Sequence, residues 1–274
     1  MGRVTGRRPV IRVVGSAQTR RPDTLVVEEP LEIRVNGQSL AVTMRTPGDD
    51  VDLVHGFLLS EGVITSPAQV AGARYCLGTG PDGQNTYNVM DVVLAEGVPP
   101  PTPDITRNVY TTSSCGICGK ASIDAVRTQS SFTVDEDPLR IGVDVLAKLP
   151  DRLRSAQRVF DRTGGLHAAA LAGPDGELGI VREDVGRHNA VDKVFGAALV
   201  AGAVPLSGQA LMVSGRASFE LVQKAVMAGI PLLAAVSAPS TLAVDLAAEA
   251  GLTLVGFLRG ETMNIYTGAE RITF

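Results

Sequence analysis

Tryptophan is absent and aromatic residues make up only 4% of the chain, so there is little on which nucleic-acid bases would stack. Positive charge is not in excess either. Twenty-five Lys and Arg stand against 29 Asp and Glu, a formal net charge of −4, and the electrostatic footprint of a nucleic-acid binder is missing. Cysteine is scarce: three in 274 residues cannot make a disulfide framework, and they suit a reducing cytoplasm. Two uncharged stretches, 194–215 and 225–244, are broken by proline, glycine and serine, so each reads as helix end, turn and strand rather than as a membrane span. The N-terminus lacks an unbroken apolar segment. Arg12 interrupts it, and Arg3, Arg7, Arg8, Arg12, Arg20 and Arg21 all precede the first acid, Asp23. Residues 1–24 are therefore expected to be a flexible basic tail, not a signal peptide.

What is present is an ordinary α/β composition, with 45% hydrophobic and 20% charged residues, 30 Gly and 16 Pro. The length suits one large domain, or a large one with a small one. Residues 25–45 read as a hairpin turning at Asn36-Gly37, with Leu31, Ile33 and Val35 alternating with polar residues. Asp49 or Asp50 is placed to cap a helix through Leu53, Val54, Phe57 and Leu58 that ends at Gly62. Residues 85–94 form a further strand, and the proline-rich run 97–103 is a linker by composition. Helical periodicity covers much of 143–160, and 167–172 with 178–183 make a second hairpin across Gly173-Pro174-Asp175-Gly176.

The last third of the chain alternates. A helix carrying Ala190, Val191, Val194 and Phe195 leads to strand 210–213, helix 218–228, strand 231–236, helix 241–250, strand 252–258 and a last strand, 263–267. Such alternation is the pattern of a parallel sheet with helical crossovers. Open parallel sheets bind ligands beyond the C-terminal ends of their strands, which singles out three loops: 214–218, 237–241 and 257–262. The first two lead small hydroxyl residues into helix N-termini, where backbone N–H groups favour an anion, and Arg216 and Arg259 add forks suited to phosphate. A nucleotide or phosphorylated cofactor is the physical expectation, alongside plain turn geometry. Arg187, His188 and Asn189 form a polar run at a helix start where a cap needs only one such residue, so a ligand role is expected there too.

Cys115 and Cys118 stand in Thr112-Ser113-Ser114-Cys115-Gly116-Ile117-Cys118-Gly119-Lys120, among small residues and next to a stretch, 120–127, with helical periodicity. A helix N-terminus and Lys120 would stabilise a thiolate, and such surroundings bring a thiol pKa from about 8.5 to roughly 3.5–7.5. Several chemistries use this spacing. A structural zinc site needs two more ligands, and only Cys76 and three scattered histidines are on offer. A zinc deaminase needs His-x-Glu and Pro-Cys-x-x-Cys, and neither is here. A thioredoxin-like oxidoreductase places the pair early in a small βαβ domain. Sulfur carriage needs an exposed low-pKa thiolate that takes a persulfide sulfur, with a neighbouring thiol to release it. A glycine-rich turn with incidental thiols remains the plainest alternative. Cys76, His55 and His167 read as structural.

The segment 112–120 is followed by Asp184-Val185-Gly186-Arg187-His188-Asn189-Ala190-Val191-Asp192-Lys193, Ser214-Gly215-Arg216-Ala217-Ser218-Phe219-Glu220, Val236-Ser237-Ala238-Pro239-Ser240, Gly256-Phe257-Leu258-Arg259-Gly260 and Met263-Asn264-Ile265-Tyr266-Thr267. In this order they resemble the formate dehydrogenase accessory sulfurtransferases, the FdhD family, over residues 25–267. The resemblance implies a persulfide carrier loaded by a cysteine desulfurase, which passes sulfur to the bis-molybdopterin guanine dinucleotide cofactor of formate dehydrogenase. It implies Cys115 as the carrier, Cys118 as its helper, and Phe257, Leu258, Arg259, Gly260, Glu261 and Thr262 as the segment holding the dinucleotide. It also implies a cytidine-deaminase-like three-layer α/β domain without the zinc, at 104–274, a smaller β-rich subdomain at 25–103, and a homodimer. Glu261 departs from what phosphates would favour. Two other functions share these parts: a non-enzymatic cofactor chaperone, and a thiol–disulfide oxidoreductase cycling the cysteine pair.

Overall fold

The computed structural model describes residues 4–76, 86–101 and 130–274. Two strands, β1 (Thr5–Val14) and β2 (Ala17–Val26), open the chain as an antiparallel ribbon from Thr5↔Val26 to Val14↔Ala17. Residues expected to be a flexible tail are thus paired. The ribbon has no buried face: Ile11, Val13 and Val14 are exposed beside the arginines. With neither an apolar stripe nor a polar one, the alternation that marks a strand is missing from its sequence.

The next hairpin follows its sequence closely. β3 (Glu29–Val35) and β4 (Gln38–Arg45) join through Asn36 and Gly37, both at positive φ (51° and 80°), the geometry whose twist matches the flanking strands. Leu31, Ile33 and Val35 point inward, while Glu32 and Arg34 point outward and pair at 2.9 Å. Helix α1 (Asp50–Ser60) follows, then β5 (Val70–Tyr75) and β6 (Val89–Leu94), which complete a sheet ordered β4-β3-β6-β5.

Beyond residue 130 come β7 (Ile141–Gly142), α2 (Val143–Ala156) and α3 (Phe160–Thr163). They are followed by β8 (His167–Ala172), β9 (Leu178–Asp184), α4 (Arg187–Val200) and β10 (Ala210–Val213). The chain ends with α5 (Phe219–Met227), β11 (Leu232–Ala235), α6 (Thr241–Ala250), β12 (Thr253–Arg259), β13 (Thr262–Thr267) and β14 (Ile272–Thr273), the last paired with β7. The main sheet runs β13-β12-β11-β10-β8-β9. Its centre, β10-β11-β12, is parallel as the strand and helix alternation requires, and antiparallel strands flank it on both sides.

Alternate residues of the main sheet serve two cores. Ala168, Ala170, Met212, Leu232 and Ala234 meet Leu146, Leu149 and Leu153 of α2, spaced to lie on one helix face. On the other side, Ala169, Leu171, Leu211, Leu233 and Leu254 join the apolar residues of α4, α5 and α6. That same cluster continues through α1 to Leu31, Ile33, Met90 and Val92 of the smaller sheet. A mixed α/β fold results, in which the N-terminal elements buttress α4 from outside. Among the described residues no helix is long and apolar enough to cross a membrane.

Candidate functional site

The three parallel strands end along one edge, and their loops are stitched to each other. The Ser237 amide donates to the Gly215 carbonyl (3.2 Å), the Ser240 amide to the Ala217 carbonyl (3.1 Å), and the Phe257 amide to the Ser237 carbonyl (3.2 Å). The Arg259 Nε donates to the Val236 carbonyl at 3.2 Å, tying the end of β12 to that of β11. Gly256 permits this closeness, since a Cβ there would meet Pro239 at 3.0 Å and Tyr266 at 3.1 Å. Two helices begin at this rim. Ser240 caps α6 through its Oγ, which accepts from the Ala243 amide at 3.3 Å, whereas the Ser218 side chain makes no such bond to α5.

The Ser218 hydroxyl instead lies 3.3 Å from His188 Nε2, and that nitrogen lies 2.7 Å from the Glu220 carboxylate. The hydrogen bond from His188, more than the cost of burial, holds the Glu220 carboxyl below its usual range. His188 comes from the first turn of α4, Glu220 from the first turn of α5. His167 completes the group. It starts β8, pairs with Asp184 at the end of β9, and sits over Gly215, where a Cβ would lie 3.4 Å from its Nδ1 and 3.8 Å from Arg187 Cδ. Burial and the nearby charges of Arg187 and His188 lower the His167 pKa, so at neutral pH its ring is uncharged. The Arg187 Nε is buried without a hydrogen-bond partner among the described residues.

Buried charges fix the helices that present these groups. Asp184, fully buried, pairs with Lys193 at 2.8 Å and accepts from the amides of Gly186 (2.8 Å) and Thr46 (3.1 Å). Lys193 also donates to the Thr46 carbonyl at 2.9 Å. One turn earlier, Asn189 donates to the Met44 carbonyl (2.8 Å) and to Asp184 (3.1 Å) and accepts from Thr43 (3.1 Å). Asp192 binds Lys224 of α5 and Ser60 of α1, each at 2.8 Å. The start of α4 is therefore pinned to β4, α1 and α5 before any ligand arrives.

The residues singled out from sequence separate accordingly. Arg187 and His188 face the rim region, but Asn189 is buried and holds α4 to β4, a structural duty. Arg216 is exposed on the first loop. Phe257, Leu258, Arg259, Gly260, Glu261 and Thr262 form the end of β12, a tight turn and the start of β13, with Arg259 paired to Thr262. Leu258 is fully buried in the core facing α2, so only its backbone borders the rim, while Arg259, Gly260, Glu261 and Thr262 are exposed. Phe257 has φ of 52° and an exposed ring (40%), a backbone state that a bulky residue rarely adopts. Cys115 and Cys118 lie outside the described residues. Glu220 was not anticipated. Its only sequence signal is an acid two positions after Ser218, which reads equally well as an ordinary helix start.

Residues 26–273 match the FdhD/NarQ family. A protein of Streptomyces avermitilis named sulfur carrier protein FdhD is 66% identical over 99% of this chain and 97% of its own length. One of the same name from Mycobacterium tuberculosis is 58% identical over the whole of both chains. A crystal structure from Desulfotalea psychrophila, assigned as a formate dehydrogenase accessory protein, superposes with a TM-score of 0.75 at 23% identity. It covers 99% of this chain and 100% of that one.

Proposed function

Because the chain belongs to the FdhD/NarQ family, we propose that it is a sulfur carrier that matures formate dehydrogenase, taking sulfur from a cysteine desulfurase and giving it to the molybdenum cofactor. The observation that carries this reading is the near full-length identity to proteins named sulfur carriers, in a chain that has a Cys-x-x-Cys segment flanked by glycines. In the first step the Cys115 thiolate attacks the outer sulfur of the donor persulfide. The donor S–S bond breaks, its electron pair leaves on the donor cysteine, and Cys115 keeps the sulfane sulfur. In the second, the Cys118 thiolate attacks Cys115 and expels hydrosulfide. The two thiols are oxidised to a disulfide as the sulfane sulfur is reduced, so no outside reductant enters the delivery.

The acceptor is substrate here, a bis-molybdopterin guanine dinucleotide. The rim suits such a molecule, with an exposed aromatic ring at Phe257, the Arg259 guanidinium, and the starts of α5 and α6 where backbone N–H groups favour phosphate. To test the carrier step, the protein is incubated with a cysteine desulfurase and cysteine. Without reductant, the tryptic peptide ending at Lys120 is then weighed. A gain of one sulfur atom, lost in Cys115→Ala, is expected. No gain while the desulfurase loads a control acceptor overturns the reading in favour of a cofactor chaperone.

A further inference from the structure

The group at the starts of α4 and α5 has no part in the steps just written, and its geometry is that of a proton acceptor. A Glu220 carboxylate only accepts, so the contact at 2.7 Å places the ring proton of His188 on Nε2. The other nitrogen, Nδ1, then carries a lone pair and has no hydrogen-bond partner among the described residues. The imidazole is about one-third exposed, with a side-chain value of 32%, so the ring is not sealed in the core. A carboxylate behind an imidazole orients the ring and stabilises the cation formed when the open nitrogen takes a proton. Arg187 begins the same helix turn, its buried Nε without a partner among the described residues. His167 and Gly215 leave the space over β10 narrow, with Arg187 the charge beside it.

We propose that His188, oriented by Glu220, accepts the proton of a thiol brought to this crevice, and that Arg187 holds the sulfur anion so formed. This rests on the sulfur-carrier reading. His188 Nδ1 takes the thiol proton, and the thiolate attacks the outer sulfur of a persulfide. The S–S bond breaks with its electrons on the departing thiolate, and His188 returns the proton to that sulfur. Sulfane sulfur changes hands, and nothing is oxidised or reduced overall. The charged and titratable groups around the pair are Glu220, in contact with His188, His167 of β8 and Arg187 of the same helix, and, on the far side of Glu220, Lys224 of α5 and Glu61 after α1.

The test measures how fast the full-length protein gains sulfur from a loaded cysteine desulfurase, by intact mass, from about pH 6 to pH 9. His188→Gln is expected to slow the gain on the order of a hundredfold at pH 7, with the gap closing at higher pH as the thiol ionises without help. Added imidazole is expected to restore His188→Gly in proportion to its concentration. Glu220→Gln keeps the acceptor but loses the carboxylate that orients it, so its rate at pH 7 is expected to fall between those of the unaltered protein and His188→Gln. All three side-chain changes are at partly exposed positions, and melting curves verify that the variants fold. An unchanged rate and profile in His188→Gln overturns the proposal. So does an equal loss at every pH without imidazole rescue, which marks a tie between two helices and nothing more. Failure of the unaltered protein to gain sulfur is a different result. It removes the carrier reading itself, whatever His188 does.

Discussion

Gly56 of α1 and Gly196 of α4 cross backbone to backbone: a Cβ on Gly56 would lie 2.8 Å from the Gly196 nitrogen, and one on Gly196 would lie 2.7 Å from the Gly56 nitrogen. Each would also run into a carbonyl, that of Asp192 in the first case and that of Asp52 in the second. No side chain can move aside to make room. Gly196→Ala is therefore expected to destabilise the fold by about 3 kcal/mol, the upper part of the range for overpacking, and Gly56→Ala by a similar amount. Urea denaturation of each variant gives the number, and a loss below about 0.5 kcal/mol would mean that the helices are free to slide apart.

The Asp184 and Lys193 pair, joining the end of β9 to α4, is buried away from solvent. Lys193→Met leaves the carboxylate with its hydrogen bonds from Thr46, Gly186 and Asn189 but without a counter-charge, and a loss of about 3–5 kcal/mol is expected. Asp184→Ala is expected to cost more. It strands the buried ammonium and removes the shared acceptor of those three donors at once. Denaturation midpoints of the two variants, measured side by side, establish the order.

His167 predicts a pH dependence of stability. Its folded pKa lies below the unfolded value of 6.5, chiefly through burial. As pH falls below that value, the unfolded chain takes up a proton that the folded one refuses. The contribution is present above pH 6.5 and is lost as pH falls through the folded value. In urea titrations between about pH 7.5 and pH 5 the unaltered protein should lose more stability than His167→Gln. Parallel curves would show that the imidazole titrates alike in both states.

Substitution of Phe257 is expected to separate nucleotide binding from folding. Its left-handed backbone costs about 1–2 kcal/mol in a residue with a Cβ, and glycine would remove that strain while adding a similar freedom to the unfolded chain. Phe257→Gly is expected to melt within a few degrees of the parent and yet to bind GDP at least fivefold more weakly in calorimetry. Arg259→Ala is expected to weaken GDP binding about tenfold, the worth of one exposed charge-assisted hydrogen bond. Unchanged affinity in both variants would take the guanine nucleotide off this rim.

Much of the main sheet was legible because its local signals agree. Thr241–Ala250 is framed by a serine cap and a glycine at φ 69°, and the alternation around it defines β11 and β12. The Asn36-Gly37 turn set its hairpin in the same way. β5 was missed, since Val70-Ala71-Gly72-Ala73-Arg74-Tyr75 has no clear alternation and gains its strand character from β6, which comes after the intervening residues 76–88. The site was half legible. Arg187 and His188 stood out as a polar run, but Asn189 belonged with them only in sequence, because a helix turns each successive side chain by about a third of a circle less a little. The pairing of His188 with Glu220 spans two helices and left no trace in spacing.

The stitched loops along the strand ends carry a consequence for kinetics. Gly215, Ala217, Ser237, Ser240 and Phe257 share main-chain hydrogen bonds, so the rim continues the sheet beyond its last strand residues. A molecule lying across all three loops meets an edge already ordered. Little chain entropy would then be lost on arrival, and capture is expected in one phase at a rate set by encounter. The amide protons of Ser237, Ser240 and Phe257 are accordingly expected to exchange with solvent slowly, with or without a guest.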